Sequence, residues 1–195
     1  KEYISFMSKV LVLNATGKVG TNVVIALKEA GHDVYGTTRG GSGIEKLQKL
    51  GVNSVKADYT KPADLNEAFR TSGAKIAFII TDFFLAAKSK QNLEIEQGKA
   101  QVDACKAAGC EYVIYSSAGD ADKMNEKVKH IKGKVVVEQY LFASGLKSTV
   151  LRPVAFFENL DDPVNWNPLK KGSIKFLTEV PVKLCACYDI GRAAA

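Results

Sequence analysis

The chain lacks long apolar runs. A helix that crosses a bilayer needs roughly 18 or more consecutive apolar residues, and no stretch of this sequence approaches that length. The short apolar run Ile4 to Met7 is likewise too brief for the core of a signal peptide. We therefore expect no membrane association and a cytoplasmic protein, with the nucleus as a second compartment.

Cysteine and histidine are also scarce. The two histidines are not at zinc-site spacing, and the four cysteines form no C-x-x-C pair; they are Cys105, Cys110, Cys185 and Cys187. Paired cysteines or histidines at short spacing are the usual signature of a zinc site, and an evenly spaced set marks a disulfide framework. The sequence therefore predicts no metal and reduced, mostly structural thiols, as in an intracellular protein.

Blocks of like charge are missing as well. The 27 lysines and arginines against 21 acidic residues give a net charge of +6, yet the cations are scattered along the chain. A net positive charge suits an anionic ligand, whereas nucleic-acid binding usually needs a basic cluster. We therefore expect no direct contact with nucleic acid. At 195 residues the chain is long enough for one sizeable core and too short for two full domains.

Short β-branched runs alternate with longer stretches of helical period. This pattern predicts βαβ units and a doubly wound, Rossmann-type α/β fold with a parallel sheet covered on both faces. Glycines in "EAGHDV" and "AAGCEY" fit left-handed caps after helices, and Pro62 fits a first helical turn. The strands are expected near 9–14, 33–38, 53–57, 75–80, 111–116 and 147–152, and the helices near 18–30, 43–50, 62–72, 91–108 and 129–144.

The two ends of the chain depart from this alternation. We expect residues 1–8 to be an N-terminal extension and residues 9–153 to form the nucleotide-binding domain. Residues 154–195 are expected to be a loop-rich segment that begins a C-terminal region. Because "YDIGRAAA" resembles the start of a helix that stops, we expect the substrate-side region to be incomplete or reduced.

The stretch "VLVLNATGKVG", residues 10–20, indicates a strand that enters a phosphate-binding turn. Such a turn needs small residues, so that backbone N–H groups and the helix N-terminus can approach a phosphate. Asn14 stands where a glycine is usual, but asparagine tolerates a positive φ at modest cost. A tight strand-to-helix connection without a ligand is the alternative explanation of this turn.

The end of the second strand, "VYGTTRGG", favours NADP over NAD. An acidic residue at this place binds the 2′-hydroxyl of the NAD ribose, whereas an arginine accommodates the 2′-phosphate of NADP. Arg39 is that arginine, and no acidic residue lies between Asp33 and Glu45. A solvent-facing arginine without a ligand remains the alternative.

These motifs resemble those of the NmrA-like proteins, atypical members of the short-chain dehydrogenase/reductase superfamily. "NATGKVG" is similar to their G-A-T-G-x-x-G turn, and "TTRGG" to their T-R-N/D stretch. "ADYTKPADL" is similar to G-D-x-x-D-x-x-x-L, and "FIITDFF" to F-x-V/I-T-N-x-W/F. The order continues through "EIEQGKAQVDACKAAGCEYVIYSS", "HIKGKVVVEQYL", "LRPVAFFENL" and "DIGRAAA". The resemblance is closest to the NADPH-sensing, redox-responsive branch.

The resemblance implies a set of NADP(H)-binding positions. The pyrophosphate would lie on the turn, the 2′-phosphate on Arg39, and Lys134 would reach the nicotinamide ribose. The adenine would lie near Asp58 and Tyr59, and the ribose and nicotinamide near Thr81, Asp82 and Phe83. The turn residues are Asn14, Thr16, Gly17, Lys18, Val19 and Gly20. Asn14 and Asp82 depart from the glycine and asparagine usual in the family.

The catalytic positions are less regular. Reductases of this superfamily place a tyrosine four residues before a lysine on one helix, so that the tyrosine can donate a proton. Here His130 stands at the tyrosine position before Lys134. Loss of a positioned general acid costs about 10²- to 10⁴-fold in rate. Two alternatives are a histidine that donates the proton itself, with Ser116 or Ser117 orienting a carbonyl, and a surface histidine without a role.

Three functions follow as hypotheses. The leading one is an NADP(H)-binding redox sensor, a regulator or interaction partner in which cofactor occupancy orders surface loops; its protein partner and a homodimeric state are open. The second is an NADPH-dependent quinone, enone or carbonyl oxidoreductase, with the aromatic pairs Phe83–Phe84 and Phe156–Phe157 and Trp166 lining a pocket rather than serving as core. The third is a structural subunit that binds no nucleotide.

Overall fold

The computed structural model describes residues 7–84, 86–121, 123, 128–161 and 183–195. Within them, six parallel strands form one sheet in the order β3-β2-β1-β4-β5-β6. The strands are β1 Lys9–Val12, β2 Asp33–Thr38, β3 Asn53–Lys56, β4 Ile76–Ile80, β5 Tyr112–Ser116 and β6 Ser148–Leu151. The predicted doubly wound α/β fold is confirmed, and each predicted strand is present within two residues of its expected bounds.

Helices alternate with the strands and cover both faces of the sheet. The helices are α1 Lys18–Glu29, α2 Ser42–Lys49, α3 Pro62–Ser72, α4 Gln91–Ala107, α5 Lys129–Ala143 and α6 Cys187–Ala194. One core cluster joins the sheet to α3, α4 and α5, and a second joins it to α1, α2 and α6. Strands buried on both faces explain the nearly continuous apolar runs of the sequence.

The central strand β1 shows how residue alternation builds the two layers. Val10 and Val12 belong to the cluster beneath α1, α2 and α6. Leu11 and Leu13 belong to the opposite cluster, because successive side chains of a strand point to opposite faces. All four side chains are almost fully buried, so β1 lies at the centre of the molecule.

The predicted helix boundaries are confirmed at three places. Gly31 and Gly109 adopt φ values of 86° and 63° after α1 and α4, as a left-handed C-terminal cap requires. Pro62 opens α3 at its first turn, where its missing N–H costs no hydrogen bond. Because neighbouring strands all pair in parallel, the carboxyl ends of the six strands lie along one edge of the sheet.

The region after β6 is more regular than the loop that the sequence predicts. Strand β7, Ala155–Phe156, pairs in parallel with β8, Leu184–Cys185, and a 3₁₀ helix follows at Phe157–Asn159. Phe156 and Cys185 gain regular structure because both pack against the α1–α2–α6 core cluster. The expectations for residues 1–6 and for Trp166 lie outside the described residues.

Helix α6 packs against α1. A Cβ at Gly191 of α6 would overlap the carbonyl oxygen of Asn22 in α1, so only glycine permits this close crossing. The two helices bury Cys187, Ile190 and Ala194 together with the apolar face of α1. Among the described residues, no helix combines the length and the apolar character that a membrane span requires.

Candidate functional site

The carboxyl ends of β1 and β4 mark the point where the strand order of the sheet reverses. From β1 the chain continues to β2 on one side, whereas β4 leads to β5 on the other. In open α/β sheets, ligands bind in the crevice that this reversal creates. The residues that follow β1, β2 and β4 are therefore the first candidates for a binding site.

The turn after β1 is tight and contains one residue in the left-handed region. Asn14 adopts a φ of 52°, which confirms the positive φ suggested by its replacement of a glycine. Its carbonyl oxygen accepts a hydrogen bond of 3.0 Å from the N–H of Gly17, and its own N–H donates to Thr37 Oγ1 at 3.1 Å. The asparagine thus turns the chain directly from β1 toward α1.

The N-terminus of α1 offers backbone N–H groups to an anion. Its N-cap residue is Gly17, which provides no side-chain hydrogen bond, and the first turn contains no acidic residue. Unpaired N–H groups and the helix dipole at such an end favour a phosphate. At Gly20 an added Cβ would overlap the carbonyl oxygen of Asn14 and would lie 2.9 Å from the Cα of Ala15, so this glycine lets α1 approach β1.

Substitution of Asn14 tests this account of the turn. We expect Asn14→Ala to lower the free energy of unfolding by about 1 kcal/mol, because alanine has no compensating interaction in the left-handed region. Asn14→Gly is expected to be neutral or slightly stabilising, since glycine adopts that φ without strain. Urea denaturation followed by circular dichroism measures both. Equal losses for the two variants would show that the asparagine side chain, and not its φ, holds the turn.

Arg39 lies exposed directly after β2. The next two residues, Gly40 and Gly41, have φ values of 112° and 59°, so the chain turns sharply there and leaves the guanidinium at the edge of the crevice. Its charge acts on Asp58 and Tyr59, which follow β3. The ends of β2 and β3 thus bring together the arginine and the two residues expected near an adenine.

Asp58 and Tyr59 differ in accessibility. Burial acts to raise the pKa of Asp58, but hydrogen bonds from Thr60 and the charges of Lys61 and Arg39 bring it below its usual value. Tyr59 is 8% exposed and belongs to the core. Burial, followed by the charge of Asp82, raises the pKa of Tyr59 to about 12. Only a small part of this ring is available to a ligand.

Lys46 is a cation near the turn that the sequence analysis missed. From α2 its Nζ donates a 3.0 Å hydrogen bond to the carbonyl oxygen of Thr16, and burial lowers the pKa of its ammonium. Gly43 lets the same helix approach the turn, because an added Cβ would overlap Thr38 Oγ1 and would lie 3.3 Å from the methyl group of Thr16. No sequence motif marks Lys46, so its position beside the turn becomes evident only from the packing of α2 against the turn.

Lys134 on α5 is held at the end of β4 by three acceptors. Its Nζ donates to the carbonyl oxygen of Thr81 at 3.1 Å and to Thr81 Oγ1 at 2.9 Å. It also forms an ion pair of 3.2 Å with Glu94 Oε1. Two of the three N–H donors of the ammonium are thus bound to Thr81, and the charge is paired with Glu94. The expected approach of Lys134 to a ribose would require it to exchange at least one of these contacts.

Glu94 of α4 is the second functional residue that the sequence analysis missed. Its side chain is 0% exposed, while that of Lys134 is 14% exposed. Glu94 Oε1 accepts a hydrogen bond of 2.8 Å from the hydroxyl of Thr81. The Thr81 hydroxyl also lies 3.3 Å from the hydroxyl of buried Tyr115. The sequence feature that could have indicated Glu94 is a set of polar residues on the buried face of α4: Glu94, Gln97 and Gln101.

His130 packs against aromatic rings. Its ring centroid lies 6.0 Å from that of Phe83 and 5.8 Å from that of Phe84. Burial lowers the pKa of His130, and the positive charge of Lys134 acts in the same direction against the charge of Glu94. The imidazole is therefore mainly neutral at pH 7. Phe83 is buried and Phe84 is 64% exposed, so one ring anchors the cluster and the other faces solvent.

The remaining expected positions lie at neighbouring strand ends. Asp82 Oδ1 accepts a hydrogen bond of 3.1 Å from the N–H of Phe84, and this hydrogen bond lies in the loop after β4. Ser116 ends β5 and is buried. Ser117 is also buried, and its hydroxyl has no hydrogen-bond partner among the described residues. The aromatic pair at 156–157 is divided between a half-buried and an exposed ring.

A chain of contacts joins the phosphate turn to the C-terminal segment. Lys18 is expected at the pyrophosphate. Its Nζ donates a hydrogen bond of 3.0 Å to Asn159 Oδ1. In the adjacent residue, Glu158, Oε1 accepts a hydrogen bond of 2.8 Å from the N–H of Cys187 at the start of α6. These contacts connect the turn after β1 with the start of helix α6. No group of three or more metal-ligating side chains is present in the part of the chain that the structure describes.

Comparison with known proteins places these features in a family. The model of the NmrA-like family matches residues 7–191. The NmrA-like family domain-containing oxidoreductase ptmS of Penicillium ochrochloron is 28% identical over 159 residues, covering 77% of this chain and 48% of that protein. The chain thus spans about half the length of this curated relative.

Solved structures show the same fold. Triphenylmethane reductase from Citrobacter sp., crystallised with NADP(H), superposes with a TM-score of 0.78 at 20% identity, over 95% of this chain and 64% of that one. An NmrA mutant, in which an asparagine and an alanine are replaced by glycine, gives a TM-score of 0.64 at 27% identity. That match covers 77% of this chain and 46% of that one.

Proposed function

The chain belongs to the NmrA-like family, and from this premise we propose that it is an NADP(H)-binding, redox-responsive regulator with little or no catalysis. In this proposal, occupancy of the crevice by the cofactor orders the C-terminal segment that a partner protein would contact. The observation that carries it is the contact between Lys18 on the phosphate turn and Asn159 beyond β6.

The cofactor assignment rests on charge and backbone geometry. The uncapped N-terminus of α1 suits a pyrophosphate. Arg39 suits a 2′-phosphate, because a planar guanidinium binds phosphate through two parallel hydrogen bonds. The reductase of the same fold was crystallised with NADP(H), which supports the same ligand class here.

The weak catalysis rests on the environment of two side chains. His130 stands where superfamily reductases have the proton-donating tyrosine, and partial desolvation lowers the pKa of this exposed imidazole. Lys134 donates two hydrogen bonds to Thr81 and pairs with Glu94, so its ammonium is held toward these residues and not toward a proton donor. A site without a positioned general acid forfeits about 10²- to 10⁴-fold in rate.

The regulatory mechanism follows the contacts of Lys18. A phosphate on the turn attracts the ammonium electrostatically and takes one or two of its three donors. A lysine restrained in this way holds Asn159 more firmly, and through Glu158 it fixes the start of α6. The ligand thus reduces the conformational freedom of a segment that it does not touch.

Hydrogen exchange tests the mechanism. We expect saturating NADPH to slow amide exchange in residues 184–194 about fivefold, equivalent to one additional hydrogen bond. Asn159→Ala is expected to abolish this protection while NADPH affinity changes less than threefold, because the variant cuts the contact and leaves the turn intact. Exchange mass spectrometry with and without NADPH measures the effect.

The matched control is Asn53→Ala. Asn53 is an exposed asparagine that donates to Asp33 at the start of β2, away from the turn, so protection by NADPH should persist in this variant. Unchanged exchange in the wild-type protein at saturating NADPH would contradict ligand-linked ordering. Protection that survives Asn159→Ala would contradict the proposed route through Lys18.

The second candidate function is NADPH-dependent reduction of a quinone or enone. The cluster of His130, Phe83 and Phe84 favours it, because an exposed aromatic face beside a nicotinamide can stack a flat acceptor. Hydride transfer to a quinone requires little from a proton donor, so a mainly neutral His130 is compatible with this reaction. Loss of NADPH absorbance across a panel of quinones and enones tests it, and rates equal to background would remove this candidate.

A further inference from the structure

The ion pair between Glu94 and Lys134 is unusual in its asymmetry. The carboxylate is 0% exposed and the ammonium 14% exposed, so the cation lies between the buried anion and the crevice. Gly133 makes this possible, because a Cβ there would overlap Glu94 Oε2. Gly98 likewise lets Val137 of α5 approach α4. The fold therefore reserves space for a buried charge directly behind Lys134.

The cost of this arrangement indicates a role beyond stability. A buried carboxylate is expensive unless its charge and all its lone pairs are satisfied. Glu94 Oε1 has two partners, whereas Oε2 has none among the described residues. Glutamine at this position would keep an acceptor for Thr81 without a charge. Hydrogen bonding to Thr81 therefore does not explain why residue 94 carries a negative charge.

The charge matters because the two forms of the cofactor differ at one place. The nicotinamide ring is cationic in NADP⁺ and neutral in NADPH, so a nearby positive charge favours NADPH and a nearby negative charge favours NADP⁺. We infer that Glu94, by neutralising Lys134, sets the relative affinity of the site for NADP⁺ and NADPH. The inference rests on the proposed function, in which Lys134 lies beside the nicotinamide ribose.

The other charges near the pair do not replace Glu94. His130 is mainly neutral, and burial raises the pKa of Tyr115 far above neutrality. Glu138, one turn after Lys134 on α5, forms its own ion pair with Arg152 at 2.7 Å. Asp82, the carboxylate expected near the nicotinamide, is unchanged in every variant compared below, so it does not affect the comparison. Glu94 is the anion paired with Lys134, and it acts through the lysine as a positioning residue.

The test measures the ratio of the dissociation constants, Kd(NADP⁺)/Kd(NADPH), by calorimetry. Glu94→Gln removes the anion and leaves Lys134 positive beside the ring, so the ratio should rise about tenfold. Adding Lys134→Gln removes both charges, and the ratio should return to within about twofold of wild type although both affinities fall. A purely structural role would change both affinities equally and leave the ratio unchanged.

Glu138→Gln is the matched control. It breaks an ion pair whose carboxylate is also buried, with Arg152, and should leave the ratio unchanged. Should Glu94→Gln fail to fold, the single variant Lys134→Gln compared with the wild-type protein carries the test, because the carboxylate left without its cation should lower the ratio. Equal ratios in that comparison, or an unchanged ratio in folded Glu94→Gln, would overturn the inference. Failure of the wild-type protein to bind either nucleotide would instead overturn the proposed function.

Discussion

Arg39→Ala is expected to weaken NADPH binding about 30-fold while NADH binding changes less than threefold. The guanidinium lies exposed after β2, where the positive φ values of Gly40 and Gly41 turn the chain away from the crevice. A bidentate contact between a guanidinium and a phosphate contributes about 2 kcal/mol, and only NADPH has the 2′-phosphate. Calorimetric titration of the variant with each nucleotide measures the difference.

The control for this prediction is Arg70→Ala. Arg70 is equally exposed, but it pairs with Glu67 on the surface of α3, so both nucleotides should bind as they do to the wild-type protein. Equal losses of NADPH and NADH affinity in Arg39→Ala would mean that the 2′-phosphate is held elsewhere. Lys46, beside the carbonyl of Thr16, would then be the next residue to test.

Gly20→Ala is expected to lower the free energy of unfolding by about 3 kcal/mol. The new Cβ would overlap the carbonyl oxygen of Asn14 and lie 2.8 Å from its carbonyl carbon. Both atoms are backbone of the tight turn, so neither can move without displacing β1 or α1. Overpacking at a rigid place typically costs 1–3 kcal/mol. Urea denaturation measures the loss.

Gly17→Ala separates stability from binding. At Gly17 an added Cβ would lie 3.0 Å from Asn14 Nδ2, the end of a side chain that can move, and 3.3 Å from the Asn14 carbonyl oxygen, without the overlap found at Gly20. The φ of Gly17, −72°, suits any residue. The free energy of unfolding should therefore change by less than about 1 kcal/mol. NADPH affinity should fall at least tenfold, because the methyl group occupies the place where the phosphate approaches the backbone. A Gly20→Ala variant as stable as Gly17→Ala would contradict the described approach of α1 to β1.

Local features of the chain were predictable from the sequence. The alternating pattern of apolar runs predicted six strands and the helices between them, because each element buries its own apolar face. Asn14 predicted a left-handed turn, since few residues other than glycine adopt that φ at low cost. The position of Arg39 followed from the length of β2 and from the two glycines after it.

Features that depend on distant parts of the chain were not predictable. The pairing of β7 with β8 and the packing of α6 on α1 join residues far apart in sequence. The strands β7 and β8 are also too short to show an alternation of apolar and polar residues. Glu94 resembles an ordinary exposed glutamate until α5 is placed against α4 through Gly133. The contact of Lys18 with Asn159 likewise depends on where the chain returns after β6.

Calorimetric titration of the wild-type chain with NADPH and NADH tests the central claim most directly. The account predicts one NADPH per chain, bound at least tenfold more tightly than NADH, because backbone N–H groups of α1 hold the pyrophosphate and Arg39 adds the 2′-phosphate contact. A folded protein that binds neither nucleotide would contradict the account and favour a structural subunit. Equal affinity for the two would contradict the role of Arg39.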